Sequence, residues 1–180
     1  MKPIQTLSHR TVLDMGKFLK VEEHTVRFPD GHTIDDWPWI VTPDFVNVVP
    51  VTTDGRVLLF RQTKYAVEGV SLAPVGGYLE PDEESLDCAR RELMEETGYE
   101  AQTWLDLGAY RVDANRGAGT AFFYLATGAV RVQEPDADDL EEQELISLSL
   151  DETKQALADA RFRALPWTSV VALALIHLGQ

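Results

Sequence analysis

The sequence predicts an α/β chain, and three observations predict that class. A stretch beginning near Glu83 or Glu84 and ending at Gly98 has the apolar spacing of an amphipathic helix. Apolar runs at 45–51, 57–60, 104–110, 121–126 and 145–148, several of them β-branched, have strand character. Two more helical stretches, 150–160 and 167–178, follow the last of those runs.

Length and composition bound the possibilities. The 180 residues suit one domain with a modest extension, which we place as a β-hairpin extension over 1–44 and a main domain over 45–180. At 44% apolar residues a sizeable core is available. A formal charge of −14 argues against nucleic acid or an anionic membrane surface as a partner, because neither is attracted to a net acidic protein. A small anionic ligand remains compatible where metal ions or a few basic residues act locally. The single cysteine, Cys88, provides no disulfide framework and suits a reducing, cytoplasmic setting. Met1 to Arg10 is mixed and polar, without the pattern of a targeting segment, and the most apolar run, Val170 to Leu178, is too short to span a bilayer.

Taken in order, Phe18 to Phe28 and Thr33 to Val41 flank the turn signal Pro29-Asp30-Gly31-His32 and read as a hairpin, with Pro38 demoting its second strand to an edge or a bulge. Trp37 and Trp39 on that strand either form a partner surface or fold onto the chain's own core. The runs 45–51 and 57–60, joined through Thr53-Asp54-Gly55, read as a buried hairpin. Arg61, Gln62, Lys64 and Tyr65 leave its second strand; in so acidic a chain they suit phosphate binding and base stacking, or solubility alone.

The helix ending at Gly98 carries the chemistry. Glu92, Glu95 and Glu96 are related by i, i+3 and i+4 and share a face, while Leu86, Ala89 and Leu93 form a neighbouring apolar stripe. Three like charges this close need a cation between them. Gly76 and Gly77 let backbone come close, so carboxylates plus a carbonyl from either glycine make an all-oxygen site suited to Mg²⁺, with Mn²⁺ as substitute. A metal there is suited to gripping a diphosphate and making a water more acidic. Arg91 is one of the helix's few basic residues and also suits a plain i, i+4 pair with Glu95.

Beyond the helix, Asp113 to Gly119 is a Gly-rich loop between two strands. Asn115 and Arg116 in it suit ribose, base or phosphate contact, and equally a plain hairpin. Residues 134–144 hold seven acidic side chains in eleven positions, a solvated loop by composition. Asp151 lies near the cap of the first C-terminal helix and Pro166 in the first turn of the second, whose nearly all-round apolar character predicts burial against a sheet. His9, His24, His32 and His177 lack a spaced partner for a metal site, and none of the four is assigned to catalysis.

Gly77, Glu83, Arg91, Glu92, Leu93, Glu95, Glu96, Gly98 and Tyr99 match the signature of the Nudix hydrolases at nine fixed positions across 23 residues. The resemblance implies an α/β/α sandwich with a mixed sheet and hydrolysis of a nucleoside diphosphate linked to another moiety. Similarity is greatest to the ADP-ribose and nucleotide-sugar pyrophosphatases. That branch implies Mg²⁺ at Glu92, Glu95 and Glu96, substrate contact by Arg61 and Gln62, an additional carboxylate at Glu141 or Glu142 as base or ligand, and a homodimer built on the N-terminal sheet. Asp139 and Glu144 stand behind those two glutamates. The chain departs from the branch at Leu72, where a glutamate is usual, and at Asn115-Arg116, where a proline is. Alternatives implied are a nucleoside triphosphate, a dinucleotide, NADH or a coenzyme A derivative as substrate, or a Nudix module that binds nucleotide sugars without catalysis.

Overall fold

The computed structural model describes residues 1–136 and 142–179, which form two compact units. The first comprises Met1–Asp44 and Tyr110–Thr120. Its strands β1 (Gln5–Asp14), β2 (Lys20–Arg27) and β3 (Thr33–Val41) form an antiparallel meander. β2 and β3 are the expected hairpin. Asp30 accepts a hydrogen bond from the His32 N–H in its turn (2.9 Å), and Gly31 takes φ +92° there. β1 adds a third strand that the polar sequence did not announce. Its ten residues are all exposed, so no buried face imprints an alternating pattern.

The register crosses Pro38 opposite Glu23 and shifts one step on, between His24 and Val26, so the expected irregularity is a bulge beside the proline. The Trp37 indole N–H donates to the Asn115 carbonyl (2.7 Å), and the Ile40 N–H to the Arg116 carbonyl (2.8 Å). Trp37 also packs against Phe28, and Trp39 against His24. Both tryptophans are thus half-buried within their own unit.

The second unit, Phe45–Ala109 with Ala121 onward, holds β4 (Phe45–Thr52), β5 (Val57–Lys64), β6 (Val67–Ala73), α1 (Ser85–Thr97), β7 (Tyr99–Glu100), β10 (Gln143–Leu148), α2 (Leu150–Ala158) and α3 (Leu165–Leu178). Strands β8 (Thr103–Asp113) and β9 (Gly117–Arg131) contribute residues to both units. Here β9 lies parallel to β4, while β5 is antiparallel to β4, β6 and β10, which makes the sheet mixed.

Alternation along β4 explains the layering. Val46 and Val48 face Cys88, Ala89 and Leu93 of α1. Val49 and Val51 face the other way, onto Ala156 of α2 and Val170, Val171 and Ala174 of α3. Helices on both faces give the α/β/α sandwich.

The capping chemistry is local. Gly98 ends α1 at φ +74°, its N–H donating to the Met94 carbonyl (2.8 Å), as a left-handed cap requires. Ser149 caps α2, with Asp151 in the first turn and a reciprocal pair of bonds between Ser149 and Glu152. Pro166 sits in the first turn of α3, as expected. α3 is not buried all round: Leu165 and Ile176 are exposed, because the sheet covers only one side of it. Among the described residues, no helix is long and apolar enough to cross a membrane.

Candidate active site

The buried stripe of α1 is Cys88, Ala89, Leu93 and Thr97, which anchors the helix to the sheet and turns the carboxylates to one side. Arg91 is the cation between them. Its Nε and Nη2 donate to the two oxygens of Glu83 at 2.8 and 3.0 Å, a bidentate pair. Its Nη1 donates to Glu92 Oε1 at 2.8 Å and to Glu95 Oε2 at 3.1 Å. Nη2 also reaches the Tyr78 carbonyl at 3.3 Å. The Arg91 guanidinium holds the Glu83 carboxyl down at about 2. Burial pushes Glu92 up, against the pull of Arg91.

Gly76 and Gly77 lie against this cluster. The Gly76 N–H donates to Glu96 Oε2 (3.2 Å), and a Cβ on Gly77 would overlap the Glu92 carboxylate. The Gly77 carbonyl accepts from the Val46 N–H (2.9 Å), which pins the loop to β4. Four carboxylates against one guanidinium leave an excess of negative charge, and the atoms the carboxylates offer are all oxygen. That donor set fits Mg²⁺ or Mn²⁺.

Cys88 belongs to the core. It is fully buried and its thiol is pushed up to about 12, first by that burial, so it is neither a ligand nor a nucleophile at neutral pH.

The other sequence-predicted residues fall in separate places. Arg61, Gln62 and Glu142 meet in one cleft of about 560 Å³, lined also by Thr63, Val70, Gln143 and Glu144. Arg61 pairs with Glu144 there at 2.6 Å, a contact that strand pairing creates (Glu144↔Arg61) and that linear sequence hides. No α1 carboxylate lines this cleft among the described residues. Glu141 and Asp139 lie outside the described residues.

Asn115 and Arg116 belong to the first unit. Asp113 accepts from both their N–H groups at 2.8 and 2.9 Å and lies 3.4 Å from the half-exposed Arg116 guanidinium. That loop is therefore braced by its own residues. Leu72, where the ADP-ribose branch usually has a glutamate, is a core residue at 1% exposure.

One expectation fails. His9 and His24 do have ligand-type partners, because the β1–β2 register sets them opposite one another beside Glu22.

A family model described as NUDIX domain matches residues 41–168. The chain is 28% identical over 149 residues to the methanol dehydrogenase activator of Bacillus methanolicus, covering 81% of this chain and 79% of that protein. It is 27% identical over 168 residues to a CMP-5'-(N-acetyl-N-hydroxy-3-aminopropyl)phosphonate hydrolase of Streptomyces rubellomurinus (strain ATCC 31215), covering 93% and 80%. To the ADP-ribose pyrophosphatase of Bacillus subtilis (strain 168) it is 30% identical over 95 residues, covering 53% and 51%. A solved structure described as that of an ADP compounds hydrolase superposes with a TM-score of 0.83 at 20% identity, over 99% of this chain and 96% of that one. The family match spans most of the sequence and includes the whole carboxylate helix, so the chain belongs to the Nudix family, as a pyrophosphohydrolase of nucleoside diphosphate derivatives.

Proposed function

We propose that the protein hydrolyses the diphosphate linkage of ADP-ribose or another nucleotide sugar with the help of Mg²⁺, for which Mn²⁺ can substitute. The observation that carries this reading is the carboxylate cluster on α1, in which Glu92 and Glu95 pair with Arg91, Glu96 accepts from the Gly76 N–H, and Gly77 lies against Glu92. Glu92, Glu95 and Glu96 would hold the ion, with a carbonyl from Gly76 or Gly77 as a further donor. A divalent ion bound there supplies charge neutralisation for the diphosphate and a more acidic water. Arg91 orients the glutamates and limits their repulsion. A carboxylate of this cluster, or Glu142 or Glu141, accepts the proton of the attacking water.

Arg61 and Gln62 contact substrate in the cleft they share with Glu142; Asn115 and Arg116, in the first unit, are separate candidates for substrate contact. ADP-ribose leads because the relative named ADP-ribose pyrophosphatase is 30% identical to this chain over 95 residues. The core position of Leu72 and the CMP-phosphonate hydrolase that aligns with 93% of the chain support a second reading, in which the nucleotide differs. The ten exposed residues of β1, with Leu7, Val12 and Leu13 among them, support a homodimer assembled through an extension over 1–44. The single buried cysteine suits the cytoplasm.

A panel of ADP-ribose, other nucleotide sugars, a CMP-linked substrate, dinucleotides and triphosphates, each with Mg²⁺ and with Mn²⁺, tests the reading. AMP from ADP-ribose is the expected product. Pyrophosphate from a triphosphate, with ADP-ribose untouched, replaces it.

A further inference from the structure

The first unit carries a second set of ligating side chains, independent of the reaction above. His9 on β1 pairs directly with His24 on β2, and Glu22 lies two residues from His24 on the same strand, so the three side chains leave one face of the sheet. Glu22 Oε2 is 3.4 Å from His9 Nδ1 and 2.9 Å from His24 Nε2. One ligand atom from each residue lies within 4.8 Å of the other two. A tetrahedral ion with bonds of about 2.0–2.2 Å to nitrogen and oxygen needs ligand atoms roughly 3.3 Å apart, and the observed separations bracket that value.

Two of the ligands are held in place. The side chains of His24 and Glu22 are 12% and 16% exposed, while His9 is 60% exposed on the outer strand. The His24 ring stacks on Trp39 with centroids 5.1 Å apart and planes 20° apart. Trp39 lies flush with Gly117, where a Cβ would come within 2.6 Å of the indole. The imidazole is thus backed by a rigid plate, and His9 on the outer strand completes the set.

Two imidazoles and one carboxylate are a borderline donor set, suited to Zn²⁺ and the later first-row divalent metals. The oxygen cluster on α1 suits harder ions. We propose that His9, Glu22 and His24 form a binding site for a divalent transition-metal ion, with Zn²⁺ as its representative, that clips β1 to β2. Glu22 Oε2 is already within hydrogen-bond distance of His24 Nε2 and near His9 Nδ1.

The test uses the untagged full-length chain in a large excess of Mg²⁺, which occupies the oxygen cluster. Calorimetric titration with Zn²⁺ is expected to show one tight equivalent per chain, weakened at least ~10²-fold in His9→Gln and in His24→Gln. Turnover with Mg²⁺ stays the same in both variants. Cu²⁺ bound to the wild type should show hyperfine coupling to two nitrogens by EPR, reduced to one in His24→Gln and in His9→Gln. Zn²⁺ binding of unchanged strength in both variants, no retained Zn²⁺ in the wild type, or a Cu²⁺ spectrum with oxygen ligands only would each overturn the proposal. Should His24→Gln fail to fold, His9→Gln on the exposed strand still decides it.

Discussion

Gly76 and Gly77 are neighbours, yet a methyl group on each would meet a different kind of obstacle. At Gly76 it meets the Val46 carbonyl and the Asn47 amide, backbone and buried side chain with nowhere to go. At Gly77 it meets the Glu92 carboxylate, which can swing away. Gly76→Ala should therefore cost about 1–3 kcal/mol of stability, seen as a lower denaturant midpoint. Gly77→Ala should keep the wild-type midpoint while raising the Mg²⁺ concentration needed for half-maximal turnover by roughly tenfold or more. Equal losses of stability in the two variants would contradict this division. Residues of this kind were legible in the sequence because a helix of known period and a glycine pair fix their own geometry. The triad of His9, Glu22 and His24 was not. It depends on a cross-strand register interrupted by shifts between Thr6 and Ser8 and between Thr11 and Leu13, which no spacing along one strand encodes.

At the scale of the element, α1 is tied to the loop before it by the Glu83–Arg91 pair. Glu83 has a folded-state pKa of about 2, lowered by Arg91 from an ordinary 4.5. Because that value is depressed, its stabilising contribution is present above the unfolded value and is lost as pH falls from about 4.5 toward about 2. The stability gap between the wild type and Glu83→Gln should accordingly be widest near neutrality and shrink through that acid window, as read by denaturant unfolding at several pH values. A gap that widens on acidification would show that the pair does not stabilise the fold. The helix itself was plain from sequence, since Gly98 and the Leu86-Ala89-Leu93 stripe mark its end and its buried face. β1 and β6 were not. β1 is exposed at every position, and β6 carries Glu68 and Gly69 within a short run that ends at Pro74, so neither shows a clean two-residue period.

For the whole molecule, the class of fold followed from the alternation of strands with amphipathic helices, and its layering from valines that alternate along β4 between α1 and the α2–α3 pair. Assembly and substrate were less legible, because they reside in surfaces rather than in periodicity. A formal charge of −14 disfavours close approach of two copies, so the proposed homodimer rests on apolar area such as the exposed Leu7, Val12 and Leu13 of β1. Light scattering should give a dimer for the full chain and a monomer when Leu7 and Leu13 are both changed to Lys; a monomeric wild type would contradict that assembly. On the proposed reading the α1 carboxylates do the chemistry, and Glu96, held by the Gly76 N–H, is the residue at which to test it. With the best substrate of the panel and saturating Mg²⁺, Glu96→Gln should lower kcat by at least ~10² while leaving the unfolding midpoint unchanged. Undiminished turnover in that folded variant would contradict the account.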